Sequence, residues 1–107
     1  MGNEQEQLTV RDNGAEQQYE VHQNGQVAVL QYERMGGRII LIHTEVPPAL
    51  EGHGIAAMLA RHALEAARAD GLEVVPRCSY VAAYIRRHRE YLPLVNSAEQ
   101  ARLLARE

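Results

Sequence analysis

The stretch from Ile39 to Gly71 constrains this chain more than any other. It places an apolar run, a proline pair, two closely spaced glycines and an amphipathic segment in that order. Ile39-Ile40-Leu41-Ile42 does not alternate, which predicts a central strand covered on both faces. Pro47-Pro48 marks the loop that follows. Gly52 and Gly54 have no Cβ, so the backbone there can turn sharply and approach a ligand closely. Beyond them, Ile55, Leu59, Ala63 and Ala66 recur at helical spacing, and Ala56, Ala60, Leu64 and Ala67 widen the apolar face. Arg61, Glu65 and Arg68 fall on the other side, spaced to pair across solvent. Gly71 is placed to close the helix in a left-handed conformation. A helix opening on a glycine turn points unpaired N–H groups and its positive dipole end at that turn. Such a turn binds phosphate without a basic side chain.

The rest of the chain reads as strands before this segment and short elements after it. Residues 1–7 are polar and expected to fray. Leu8 to Asp12 alternates as a half-buried strand does, and Asn13-Gly14 is a two-residue hairpin signal. Tyr19 and Val21 carry a second strand, and Asn24-Gly25 marks the next turn. Val27 to Glu33 is a third strand, with Ala28, Leu30 and Tyr32 on one face. Gly36-Gly37 leads into the fourth, Arg38 to Val46. After the helix, Leu72 to Pro76 is a fifth strand, and a strand–helix–strand crossover sets it parallel to the fourth. Ser79 is placed to cap a second helix reaching about Arg89. Tyr91 to Val95 reads as a short extended piece broken by Pro93. Ser97-Ala98-Glu99-Gln100 fits a capping box opening a tail helix within residues 96–107.

Composition removes several function classes. The net charge is −3 and the basic residues are scattered, which argues against a nucleic-acid surface. A single cysteine makes no internal disulfide, and with no apolar leader at the N-terminus the expected setting is the reducing cytoplasm. No apolar run approaches membrane-spanning length. His22, His53, His62 and His88 show no metal-ligand spacing, and one cysteine gives no zinc site.

Glu51-Gly52-His53-Gly54-Ile55-Ala56 resembles motif A of the Gcn5-related N-acetyltransferases, (Arg/Gln)-x-x-Gly-x-(Gly/Ala). With Val46-Pro47 before it and Cys78-Ser79-Tyr80 after it, the chain is similar to the short stand-alone branch of that family (the YjdJ-like and NATD1-like proteins). The resemblance covers about residues 8–95. It implies an α/β (α+β) domain: a mixed, mostly antiparallel five-stranded sheet with helices on both faces, in a minimal version. It also implies acetyl-CoA as cofactor, with the pantetheine arm between splayed fourth and fifth strands. The pyrophosphate would lie on the backbone N–H groups of Gly52, His53, Gly54, Ile55 and Ala56, with Val46 completing the cofactor-binding set. Two departures stand out. Glu51 occupies the Arg/Gln position, and a carboxylate there repels a pyrophosphate. Only Asn13-Gly14 stands where larger relatives place two helices that wall the acceptor site.

Within that frame the candidate catalytic residues are Cys78, Tyr80, Tyr84, His43 and Glu45. Cys78 sits at a helix N-terminus, which favours the thiolate, yet a lone cysteine also serves as a small buried hydrophobe. Either tyrosine can protonate a departing thiolate or simply fill the core. His43 and Glu45 share one face of the fourth strand's end, and either can take a proton from an ammonium whose pKa is near ~10. Arg86, Arg87, His88 and Arg89 form a basic run that is either a solvated face or a contact for the CoA 3′-phosphate. The leading reading is an N-acetyltransferase acting by direct transfer on a small-molecule or protein amine, working as a monomer or weak homodimer. The alternatives are a non-catalytic acyl-CoA binding module and a Cys78-centred enzyme unrelated to CoA. A dinucleotide fingerprint at Gly52-x-Gly54-x-x-Ala57, with Glu73 toward a ribose, is opposed by the loop separating it from its strand.

Overall fold

The computed structural model of the chain describes residues 8–105; the stretch 1–7, expected to fray, lies outside the described residues. Five strands form one sheet in sequence order: β1 (Val10–Asn13), β2 (Gln18–Gln23), β3 (Gln26–Met35), β4 (Arg38–Glu45) and β5 (Glu73–Pro76). The first four pair antiparallel, and β5 runs parallel to β4. The crossover between them is α1 (Ile55–Asp70), followed after β5 by α2 (Ser79–Arg87) and α3 (Ser97–Leu104).

Turn chemistry explains most of these boundaries. Asn24 and Gly25 both have positive φ, 53° and 75°, as a type I′ hairpin requires. Gly71 has φ 67°; its N–H reaches Arg68 O, and the Leu72 N–H reaches Ala67 O at 2.9 Å, closing α1 by the paired bonds of a Schellman motif. The Asn13-Gly14 turn differs from expectation. Asn13 pairs with Gln18, leaving a four-residue loop in which the Asn13 side chain accepts from the Glu16 N–H at 3.2 Å. The side chain mimics a backbone turn and lengthens the connection.

Three expectations beyond β5 are also revised. Cys78, not Ser79, is the residue that caps α2, and it does so with no side-chain hydrogen bond. Asn96, one residue before Ser97, caps α3 by accepting from the Glu99 N–H at 2.9 Å. The Gln100 side chain bonds the carbonyls of Leu92 and Val95 instead of reaching back to the cap. Arg89–Leu94 is a 3-10 helix, not an extended piece. Pro93 lacks a donor, but the Tyr91 and Val95 N–H groups still bond three residues back.

The core lies on one face of the sheet. Tyr19, Val21, Ala28, Leu30, Ile39 and Leu41 are buried there, packed in one cluster with Leu59 and Leu64 of α1 and Val81 and Ile85 of α2. The fold class is as expected, but α1 and α2 share this face, whereas helices were expected on both. The other end of the β4 apolar run shows the consequence: Ile42 is 43% exposed. The second face instead holds a polar cluster. Glu20 is 8% exposed and accepts from Asn13 at 2.9 Å and Gln18 at 2.6 Å, with His22 at 2.8 Å. The bonds from Gln18, His22 and Asn13 lower its pKa from 4.5 to about 2. The folded state therefore prefers the carboxylate, and this contribution is complete above pH 4.5 and lost as pH falls toward 2. Glu20→Gln should cost about 1–2 kcal/mol at neutral pH. In urea unfolding as a function of pH, the gap to the wild type should close between about 5 and 2.

Candidate functional site

The site begins where β4 and β5 part. Their ladder ends at Leu41 opposite Pro76. Pro76 centres a tight turn in which the Arg77 N–H, next in line for Leu41 O, bonds Val75 O instead at 3.1 Å, and the Cys78 N–H takes Leu41 O at 2.8 Å. β4 runs on to Glu45 without a β5 partner. A bulge falls at the same level: Tyr32 lies opposite Leu41 but Gln31 opposite His43, so Ile42 is an extra residue. One extra residue exchanges the faces of everything downstream. Thr44, opposite Leu30, therefore turns toward the core side, and its Oγ1 lies 3.2 Å from Cys78 Sγ across the gap. His43 and Glu45 turn to the other face, with Nε2 and Oε1 3.5 Å apart and side chains 56% and 73% exposed.

The second component is the start of α1. Gly52 and Gly54 have φ 87° and 72°, conformations that cost other residues about 1–2 kcal/mol. A Cβ at either would meet nothing within 4 Å, so both face open space. Gly54 precedes the helix without a side-chain cap, and the first turn holds no acidic residue. The first intrahelical bond is from the Met58 N–H to Gly54 O, at 3.0 Å. The N–H groups of Ile55, Ala56 and Ala57 thus have no helical acceptor. They border a cleft of about 170 Å³ whose walls include Val46, Leu50 and Tyr80, with Glu51 at its edge.

The predicted residues divide accordingly. Val46, Gly52, Gly54, Ile55 and Ala56 all line the cleft; His53 is exposed and does not. Tyr80 lines it, but Tyr84 does not. Tyr84 is 6% exposed and stacks on His88 at 4.0 Å, and burial, ahead of the neighbouring charges, raises its pKa. Cys78 is only 4% exposed, behind Thr44. The basic run is dispersed: Arg87 is exposed, while His88 Nδ1 meets Tyr84 O at 2.9 Å. Sequence reasoning missed Leu50, which a 3-10 turn opening at Pro48 buries in the cleft wall, and Thr44 as the partner of Cys78. The proline pair was the available signal for the first; the bulge that turns Thr44 has none.

Comparison with known proteins identifies the family. The family model for the GCN5-related N-acetyl-transferases matches residues 18–94, and the chain belongs to that family. It is similar to the protein NATD1: 41% identical to the chicken protein over 81 residues, covering 75% of this chain and 66% of the relative. The human protein is likewise 41% identical, with 75% and 64% covered. The zebrafish protein is 33% identical over 90 residues, with 79% and 82% covered. The chain thus spans about two thirds of the length of the chicken and human relatives.

The burial of Cys78 makes a chemical prediction. Iodoacetamide should label it roughly tenfold or more slowly than a free thiol at the same pH, because a buried structural cysteine is inert. Intact mass against time measures the rate. Labelling as fast as free thiol at neutral pH would contradict the buried placement.

Proposed function

We propose that the chain is an acetyl-CoA-dependent N-acetyltransferase that holds its cofactor at the α1 glycine turn. The observation that carries this reading is the uncapped start of α1 facing an apolar-walled cleft, with the unpaired end of β4 beside it. Gly52 and Gly54 leave room for a close approach, and the free N–H groups and the helix dipole suit a pyrophosphate. Val46, Leu50 and Ile55 suit an acyl-pantetheine arm. Bound there, acetyl-CoA supplies a thioester carbonyl for an amine to attack.

The chain's own residues then position and move protons. Tyr80 Oη, at the cleft wall, is the donor for the departing thiolate. His43 Nε2 and Glu45 Oε1, on the opposite face of β4, take the proton of an ammonium that arrives from the open side of the sheet. Cys78 is buried against Thr44 and is not among the cleft walls, so transfer is direct rather than through an acyl-cysteine. The acceptor is a small-molecule or protein amine, and the chain acts as a monomer or weak homodimer. Its lone cysteine suits the cytoplasm. No helix among the described residues is long and apolar enough to cross a membrane. A second reading, a non-catalytic acyl-CoA binding module, is favoured by Glu51 at the cleft edge and by the four-residue loop after β1, which leaves the acceptor side unwalled.

Two variants test the cofactor site by calorimetry. Gly54→Val should abolish CoA binding. Ala56→Glu should do so while keeping the fold, because a carboxylate in the first helical turn suits the dipole but repels a pyrophosphate. CoA affinity equal to wild type in both would place the site elsewhere. Glu51→Arg should tighten binding, more at low ionic strength than at high; unchanged affinity at low salt would show that Glu51 points away. Binding without acetyl transfer to any amine supports the second reading.

A further inference from the structure

On another face of α2 from Tyr80 lies a second cavity, of about 210 Å³, between α2 and α3. Its charge runs against that of the whole chain, whose net charge is −3. Arg77, Arg86 and Arg102 line it, with Glu99 as the one carboxylate among the described residues, and Ala82 and Leu103 give it apolar walls. Glu99 lies 3.8 Å from Arg77 and 3.6 Å from Arg102. These are ion pairs at long range, and no side-chain hydrogen bond accompanies them. Arg86 is half-buried and pairs with no carboxylate among the described residues. Three arginines therefore border one space, Arg77 and Arg102 with side chains 60% and 67% exposed and Arg86 half-buried. Holding like charges together without enough counter-charge is unfavourable unless an anion joins them.

We propose that this cavity is an oxyanion-binding site for a phosphate or carboxylate group. The guanidinium fork matches both, forming paired, charge-assisted hydrogen bonds. Two lining residues, Arg77 and Ser79, flank Cys78 in sequence, so the site adjoins the gap between β4 and β5. Two molecules carry such a group to this place: an acidic amine acceptor, or the cofactor through its 3′-phosphate.

The test is a ¹⁵N–¹H titration of the full chain at low ionic strength with inorganic phosphate, with succinate, and with chloride as control. Either oxyanion should shift the backbone and Arg Nε resonances of Arg77, Ser79, Arg86 and Arg102 beyond the effect of chloride. Arg86→Glu should weaken that binding about tenfold or more, while Arg86→Lys keeps part of it as a point charge. Arg102→Glu, at a side chain 67% exposed, repeats the charge reversal with less risk to folding. Shifts absent from the cavity, or unaltered by both reversals, overturn the proposal. CoA and 3′-dephospho-CoA then separate the sources. If CoA alone moves the cavity resonances, the anion is the cofactor's own; if neither does while phosphate or succinate does, the anion belongs to the acceptor. Failure of CoA to bind anywhere would sink the acetyltransferase reading and leave the oxyanion site standing.

Discussion

The site depends on a ladder hydrogen bond that the turn at Pro76 diverts. In a parallel pair alternate residues of β5 bond β4, and the Glu73 N–H on Gly37 O puts Val75 and Arg77 next in turn. The Arg77 N–H turns back to Val75 O, so the ladder ends at Leu41 opposite Pro76, where β4 still has Ile42 to Glu45 to run. The Cys78 N–H meets the last carbonyl, Leu41 O, and directs the chain into α2. The two strands separate without leaving that carbonyl unsatisfied, and the edge of β4 is left for something else to cover.

The bulge at Ile42 and the start of α1 make that opening specific. Without the extra residue, His43 and Glu45 would point into the core with Leu41, and a buried unpaired charge is costly. With it, Thr44 turns inward to Cys78 and the titratable pair faces outward. The loop from β4 returns through Leu50 to Gly54, so α1 begins beside the gap. Packing of Leu59 and Leu64 against the sheet fixes the helix there; truncating either to alanine removes fully buried contacts worth about 2–5 kcal/mol. The start of α1 is thus held in position by the core, though its own first residues have no cap.

Much of this was legible in the sequence. The strand, glycine turn and helix from Ile39 to Gly71 follow from period and breakers alone, and so do the hairpins at Asn24-Gly25 and Gly36-Gly37. What escaped has physical causes. An apolar run reads as covered on both faces, but Ile42 falls in a bulge and is exposed, which local pattern does not encode. The caps moved by one residue because Asn96 and Ser97 both suit the role, and only tertiary placement decides between them. Tyr84 and Tyr80 are four residues apart on one helix, yet one faces His88 and Tyr91 and the other the cleft. The 3-10 turn at Arg89–Leu94, which the sequence presented as extended, brings Tyr91 against Tyr84. The Arg77, Arg86 and Arg102 cluster was invisible as a motif because α3 brings its third member from far along the chain.

The central claim is that the unpaired end of β4 and the start of α1 form one ligand site. Amide hydrogen exchange with and without CoA tests it most directly, because each amide in the site reports separately. The account predicts that CoA slows exchange in both stretches together, residues 42–46 and residues 52–57, while the centre of β2 is unchanged. Protection confined to one stretch, or appearing only elsewhere, would contradict it.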